Sequence, residues 1–388
     1  MQKSLDYYAK PCRIVDMDRP QLPLIAKDLS KKLVFLTGPR QVGKTHLALA
    51  LLKDSPKGVY LNYDNLEDRS IIAKAAWLPD TELLVLDELH KMPEWKNYLK
   101  GIFDTRSPHL RILVTGSARL DAFRSSGDSL AGRYFRHRLN PFSVAEITEA
   151  SEATIDVLMT RGGFPEPFLA DTDQDASRWR LHYMDGLVRT DILDFERIHD
   201  LKAMELTLEL LRHRVGSPIS IASLAQDVAC APNTIKKYLE ILEALFIVFR
   251  VTPFHRNIAR SLLKEPKLYF YDTGMVKGND GIRFENMVAV SLLKHVNAIE
   301  DYEGSRATLH YLRTKEKKEV DFAVAVEDQP VSIIEAKLTE NEPTPSLRYF
   351  HERYGLPAVQ VVRHLRLEKM AGHIAIRRAL DFLRELKI

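Results

Sequence analysis

Cysteine is nearly missing from this chain: among 388 residues only Cys12 and Cys230 carry thiols. Two thiols so placed have no metal-ligand spacing and build no disulfide framework, as expected in a reducing compartment. Long hydrophobic runs are missing as well. No stretch nears the roughly 18 apolar residues that a spanning helix needs, and Met1-Gln2-Lys3-Ser4-Leu5-Asp6 has no signal-peptide core. A cytoplasmic protein with no membrane partner is expected. A large charge excess is also lacking: the net charge of +3 permits a nucleic-acid partner without demanding one. With 45% hydrophobic and 28% charged residues the composition is that of a globular protein, and 388 residues predict roughly two to four domains.

What is present is more specific. The apolar run Leu33-Val34-Phe35-Leu36 leads straight into Gly38-Pro39-Arg40-Gln41-Val42-Gly43-Lys44-Thr45, the G-x-x-x-x-G-K-[ST] phosphate loop, and His46-Leu47-Ala48-Leu49 continues as a helix. Gly38 and Gly43 let the backbone curl so that successive N–H groups face phosphate oxygens, and the following helix presents its positive end to the same anion. Lys44 is placed to reach the β- and γ-phosphates, and Thr45 to put its hydroxyl on Mg²⁺. A nucleoside triphosphate, ATP with Mg²⁺, is the expected ligand.

Three more strand patterns follow. Gly58-Val59-Tyr60-Leu61-Asn62 suits a buried parallel strand. Glu82-Leu83-Leu84-Val85-Leu86-Asp87-Glu88 ends on two carboxylates, with Asp87 expected in the Mg²⁺ shell and Glu88 expected to orient or deprotonate the attacking water. Arg111-Ile112-Leu113-Val114-Thr115-Gly116-Ser117 ends in small polar residues, so Thr115 or Ser117 is expected at the γ-phosphate or its water, a plain turn being the alternative. Beyond it, Arg133 precedes a fifth strand pattern. It is a candidate finger reaching a neighbouring subunit's nucleotide, ahead of Arg136 and Arg138; the other reading is a surface Arg paired with a carboxylate.

Together with Leu130-Ala131-Gly132-Arg133, Asn140-Pro141-Phe142-Ser143 and Gly162-Gly163-Phe164-Pro165-Glu166, these motifs make nearly the whole chain resemble the AAA+ ATPases that carry the C-terminal domain of unknown function 4143. The resemblance implies a core of five parallel strands, a helical lid, and ATP hydrolysis at subunit boundaries of a homo-oligomeric ring, with a hexamer as one size. His90 stands where that family's Asp-Glu-x-Gln pattern has Gln, and no role is carried to it.

Residues 146–204 alternate amphipathic stretches with the Gly162-Gly163-Phe164-Pro165 turn, a helical lid in which Arg161 either senses nucleotide or satisfies helix-end carbonyls. From 205 the pattern becomes helix-turn-helix: Ile219–Val228, a tight turn through Ala229 to Pro232, and a helix over 232–245. The strands Phe246–Val251 and Leu268–Tyr271 would form a wing. This winged helix, 205–272, would present Asn233, Thr234, Lys236 and Lys237 to a DNA groove and Arg256 and Arg260 to flanking phosphates, unless it packs against protein.

In 273–388, a helix with Glu285 precedes strands carrying Asp321 and Glu335-Ala336-Lys337. Alternation puts Glu335 and Lys337 on one strand face, where with Asp321 and Glu285 they would hold Mg²⁺ and support a nucleophilic water. The order resembles the PD-(D/E)xK restriction-endonuclease-like fold, with Val320 in place of the Pro. The tail, with Arg348, His351, Arg353, Arg363, His364, Arg366, Arg377 and Arg378, is basic enough to follow a nucleic-acid backbone, although a solvated mixed-charge face reads equally well.

The expected fold is thus α/β: a P-loop AAA+ parallel sheet core (1–145) with a lid, then a winged helix and a C-terminal α/β nuclease-like domain. The leading functional expectation is an ATP-hydrolysing motor acting on DNA, branched DNA included. A nucleotide-dependent switch or protein remodeller with a degenerate C-terminal domain, and an ATP-regulated metal-dependent nuclease, are the alternatives.

Overall fold

In the computed structural model the described residues are 19–116, 130–187, 200–254 and 265–388. Five strands, β1 (Leu33–Thr37), β2 (Gly58–Asn62), β3 (Leu83–Asp87), β4 (Arg111–Thr115) and β5 (Tyr134–Arg138), form one sheet in the order β2-β3-β4-β1-β5. All four pairings are parallel. Parallel strands need crossovers, and the helices Lys44–Lys53, Leu66–Lys74 and Trp95–Thr105 supply them. The strand alternation is read out directly. Val34 and Leu36 pack with Leu47, Ala48 and Leu51 on one face, while Leu33 and Phe35 pack with Trp95, Leu99 and Ile112 on the other.

The segment expected as a lid holds the helices Glu152–Thr160, Pro165–Phe168 and Asp173–Gly186. Two glycines fix its approach. Gly162 has a φ of +77°, and a Cβ there would lie 1.8 Å from Asp272 Oδ1; a Cβ on Gly163 would lie 2.4 Å from the Phe142 carbonyl oxygen. The buried Asp272 in turn accepts from Arg180 at 2.7 Å, so the turn, the lid helix and the chain after the wing meet at one point.

Helices Leu201–Arg212, Ile221–Val228 and Pro232–Ala244 follow. Ser220 caps the second by accepting from Ser223 N–H, Ala229 ends it in the left-handed conformation (φ +57°), and Pro232 opens the third. The two strands expected as a wing are β6 (Val248–Pro253) and β7 (Lys267–Phe270), paired antiparallel. They also belong to the next sheet. Thr252 and Pro253 run parallel to His310 and Tyr311 of β8 (Ala307–Arg313), so the wing forms the edge of an eight-stranded mixed sheet. Its other strands are β9 (Glu319–Val326), β10 (Gln329–Lys337), β11 (Ala358–Val362), β12 (Lys369–Ala371) and β13 (Ile374–Arg378), ordered β12-β13-β11-β10-β9-β8-β6-β7. β8, β9 and β10 form an antiparallel meander, and β11 adds parallel to β10 after the helix Pro345–Tyr354.

A single apolar cluster runs from Ile25 and Leu36 of the first sheet through the lid to Phe284, Phe322 and Leu383. Charged contacts reinforce the junction. Arg138 on β5 donates to Asp301 at 2.8–3.0 Å and to Glu300 at 2.8 Å. Arg363, buried in the C-terminal sheet, reaches Asp156 of the lid at 2.7 Å and also pairs with Glu152. Among the described residues no helix is long and apolar enough to cross a membrane.

Candidate functional site

The phosphate loop leaves β1 at the carboxyl edge of the first sheet, the edge where α/β sheets bind ligands. Gly38 (φ +145°) lies so close to the exit of β5 that a Cβ would sit 2.2 Å from the Leu139 carbonyl oxygen. Gln41 (φ +60°) and Gly43 (φ +101°) are both left-handed, which curls the chain into the helix that opens at Lys44. The Lys44 ammonium lies inside this curl, donating to the carbonyls of Gly38 at 2.9 Å and Pro39 at 2.6 Å. Burial pushes its pKa down to about 8 against the opposing pull of Glu88 and Asp87.

Asp87, at the end of β3, is buried and accepts from three hydroxyls: Thr45 at 3.0 Å, Tyr60 at 2.6 Å and Thr115. Thr115 therefore serves Asp87, and Ser117, its partner in the sequence reading, lies outside the described residues. Hydroxyl and carboxylate oxygens side by side are hard donors, the set that Mg²⁺ prefers, so Thr45 and Asp87 fit that ion. Glu88 follows in the left-handed conformation (φ +57°), its carboxylate 3.3 Å from Lys91 and 3.6 Å from His90. Arg40 and Val42 complete the loop, and the Val42 carbonyl accepts from Arg19 at 2.8 Å.

Arg19 escaped the sequence reading. It is buried, lies over the Phe142 ring and pairs with Glu146 at 2.7 Å; Glu146 also takes Lys294 from the helix Asp280–Ala298. Arg19 and Lys294 hold the Glu146 carboxyl below its ordinary value despite burial. A chain of contacts thereby runs from the phosphate loop to the C-terminal domain. Trp179 of the lid was likewise missed: it donates to Gln41 of the loop at 2.8 Å and stacks on Tyr183. Arg161 is engaged elsewhere, with Asp173 at 2.5 Å and the Ala170 carbonyl.

Arg133 lies just before β5, beside Leu33 at the start of β1, the sheet edge opposite its own phosphate loop. It forms a two-point pair with Asp104, at 2.8 and 3.1 Å.

On the helix-turn-helix, Asn233, Lys236 and Lys237 lie on the exposed side of the helix Pro232–Ala244 and Thr234 is half-buried, while Ile235, Tyr238 and Leu239 face the core. Arg256 and Arg260 lie outside the described residues.

The structure brings Glu285, Asp321, Glu335 and Lys337 together in the C-terminal sheet. Lys337 lies 2.8 Å from Glu335 and 3.9 Å from Asp321, and the Ala336 N–H donates to Asp321 at 3.0 Å. Two further residues, both from β7, enter the cluster: Lys267, and Tyr269, whose hydroxyl donates to Glu285 at 2.7 Å. Burial and the charge on Asp321 raise Glu285 and Glu335 to about 7 each. Among the described residues no group of three or more His, Cys, Asp or Glu has the geometry to hold a metal ion. This set does not fit Mg²⁺. Three of the tail arginines are paired with carboxylates, Arg377 with Glu368 and Glu385, Arg378 with Asp381, and Arg348 with Glu342.

A phosphate loop and an adjacent Asp-Glu strand end, on a five-stranded parallel sheet in the order β2-β3-β4-β1-β5, define a nucleotide-binding P-loop ATPase. Residues 30–148 match the AAA domain family, 152–283 match a domain of unknown function (DUF8612), and 280–377 match a domain of unknown function (DUF4143). The chain thus carries an AAA-type ATPase domain and, C-terminal to it, a DUF4143 domain. It is 28% identical over 322 residues to an uncharacterized protein of Mycobacterium tuberculosis, covering 81% of this chain and 71% of that protein. An uncharacterized protein of Methanocaldococcus jannaschii is 21% identical over 381 residues, 89% of this chain and 82% of that one. Among solved structures it is similar to the Walker-type ATPase PABY2304 of Pyrococcus abyssi (TM-score 0.46, 16% identity, 67% of this chain and 95% of that chain). It is also similar to the Orc1 protein of Aeropyrum pernix in complex with DNA (TM-score 0.33, 12% identity, 68% and 92%).

Proposed function

We propose that this ATPase is a motor that acts on DNA, working as a ring of identical copies. Backbone N–H groups of the loop 38–45 cradle the phosphates, and Lys44 exchanges the Gly38 and Pro39 carbonyls for the β- and γ-phosphate oxygens. Thr45 and Asp87 would hold Mg²⁺, which would supply charge neutralisation on the phosphates. Glu88 orients the attacking water. Arg133 cannot serve its own loop from the opposite sheet edge, so it serves a neighbour's, leaving Asp104 to meet transition-state charge.

The observation that carries the DNA reading is the exposed face of the second helix of the helix-turn-helix. Asn233, Lys236 and Lys237 stand outward there, while Ile235, Tyr238 and Leu239 anchor the helix in the apolar cluster shared with the lid.

The test is the ATPase rate and DNA binding on duplex, single-stranded and four-way-junction DNA, with Lys44→Ala as the control for hydrolysis. Stimulation of turnover by DNA, with binding that weakens as salt rises, is the expected result. Substituting Lys236 and Lys237 by Ala should weaken binding without altering basal hydrolysis. Turnover indifferent to DNA, with no salt-sensitive binding, would favour the remodeller instead.

A further inference from the structure

The carboxylates of the C-terminal sheet converge as if on a cation, and a cation from the chain itself is already there. The Lys267 ammonium, on a side chain 1% exposed, lies 2.8 Å from Glu319 Oε1, 3.6 Å from Glu285 Oε1 and 3.7 Å from Asp321 Oδ1. Three carboxylates from a helix and from β9 thus face one nitrogen carried by β7. Divalent Mg²⁺ would need those oxygens drawn in to about 2.1 Å, on a centre the ammonium fills. We infer that Lys267 is the resident cation of this cluster and stands in place of a divalent metal, which makes the site a metal-free one.

The remaining polar groups are consistent with that assignment. Tyr269 donates its hydroxyl to Glu285, Lys337 closes on Glu335, the Ala336 N–H takes the second Asp321 oxygen, and Arg313 lies 3.3 Å from the second Glu319 oxygen. The cluster is also covered on the Glu285 side. At Gly216, in the loop that opens the helix-turn-helix, an added Cβ would lie 2.7 Å from Glu285 Oε1, and Ile219 N–H donates to the Pro266 carbonyl next to Lys267 at 2.8 Å. Backbone of this loop therefore packs directly against Glu285 and the start of the Lys267 strand. In this arrangement the lysine links the wing to the meander electrostatically, and metal-assisted phosphodiester hydrolysis has no place in the domain.

Counting bound Mn²⁺ by electron paramagnetic resonance on the nucleotide-free, full-length protein tests this. Wild type and Asp321→Asn should bind the same number of ions, while Lys267→Met should bind one more, lost again in Lys267→Met/Asp321→Asn. An ion bound by wild type and lost in Asp321→Asn would overturn the inference, as would a folded Lys267→Met with no gain. Should Lys267→Met not fold, the comparison of wild type with Asp321→Asn, repeated with Glu285→Gln, decides the matter alone.

Discussion

Trp179 on the last lid helix donates its indole N–H to the side-chain carbonyl of Gln41, inside the phosphate loop, at 2.8 Å. Gln41 is held left-handed there, so a single bond from the lid braces the backbone that faces the phosphates. Trp179→Phe keeps an aromatic ring beside Tyr183 and removes that bond. Nucleotide affinity should fall about two- to ten-fold, the worth of one hydrogen bond of about 0.5–1.5 kcal/mol. Isothermal titration with ATP measures it.

Gly162 and Gly132 share a φ of +77°, but only Gly162 has a neighbour where a Cβ would go, Asp272 Oδ1 at 1.8 Å. Gly132→Ala should cost about 1 kcal/mol for the left-handed backbone alone. Gly162→Ala should cost distinctly more, because Asp272 must move off Arg180. Urea unfolding of the two variants separates the strain from the clash.

Lys44 titrates near pH 8 in the nucleotide-free protein because burial disfavours its charge. Bound polyphosphate favours the charged form, so the complex holds more protons than the free protein from about pH 8 upward. ATP affinity should therefore fall as pH rises past 8, with net proton uptake on binding. Titrations in buffers of different ionisation enthalpy report that proton, and Lys44→Arg should abolish the uptake.

Glu335 has a folded pKa of about 7 against an ordinary 4.5, raised by burial and by Asp321. The folded state binds the extra proton across that window, so this group's contribution is complete below pH 4.5 and lost as pH rises through 7. Stability of Glu335→Gln should drop less than that of wild type between pH 5 and pH 8, read as urea midpoints.

Glu146→Ala leaves Arg19 and Lys294 as two buried cations without their shared carboxylate. The expected loss is about 3–5 kcal/mol. Because Arg19 also holds the Val42 carbonyl, ATP affinity in the surviving folded fraction should fall too.

What could be read along the chain was whatever is local. β1, the loop and Asp87-Glu88 are contiguous runs whose residue types and spacing state their own geometry, and the Glu335-Ala336-Lys337 alternation put two side chains on one face. What could not be read was long-range. Arg19 and Glu146 are 127 residues apart, Gln41 and Trp179 138, and Glu146 and Lys294 148, so no window contains both partners. Lys267 lay just before the strand read over Leu268–Tyr271 and drew no reading, since nothing in Lys267-Leu268-Tyr269-Phe270 shows that its ammonium meets Glu319 and Asp321. Arg348 and Arg377 suggested part of a path for a polyanion because their carboxylate partners, Glu342, Glu368 and Glu385, become neighbours only after folding.

The pairing of Thr252 and Pro253 with His310 and Tyr311 makes one hydrogen-bonded sheet out of segments that two family descriptions divide near residue 280. A cut at that seam would leave β6 and β8 with bare edges, each a template for pairing with a foreign strand. The boundary along which these sequences are recognised is therefore not one along which this protein can be taken apart. Shuffling the C-terminal half onto another ATPase would have to carry the wing with it.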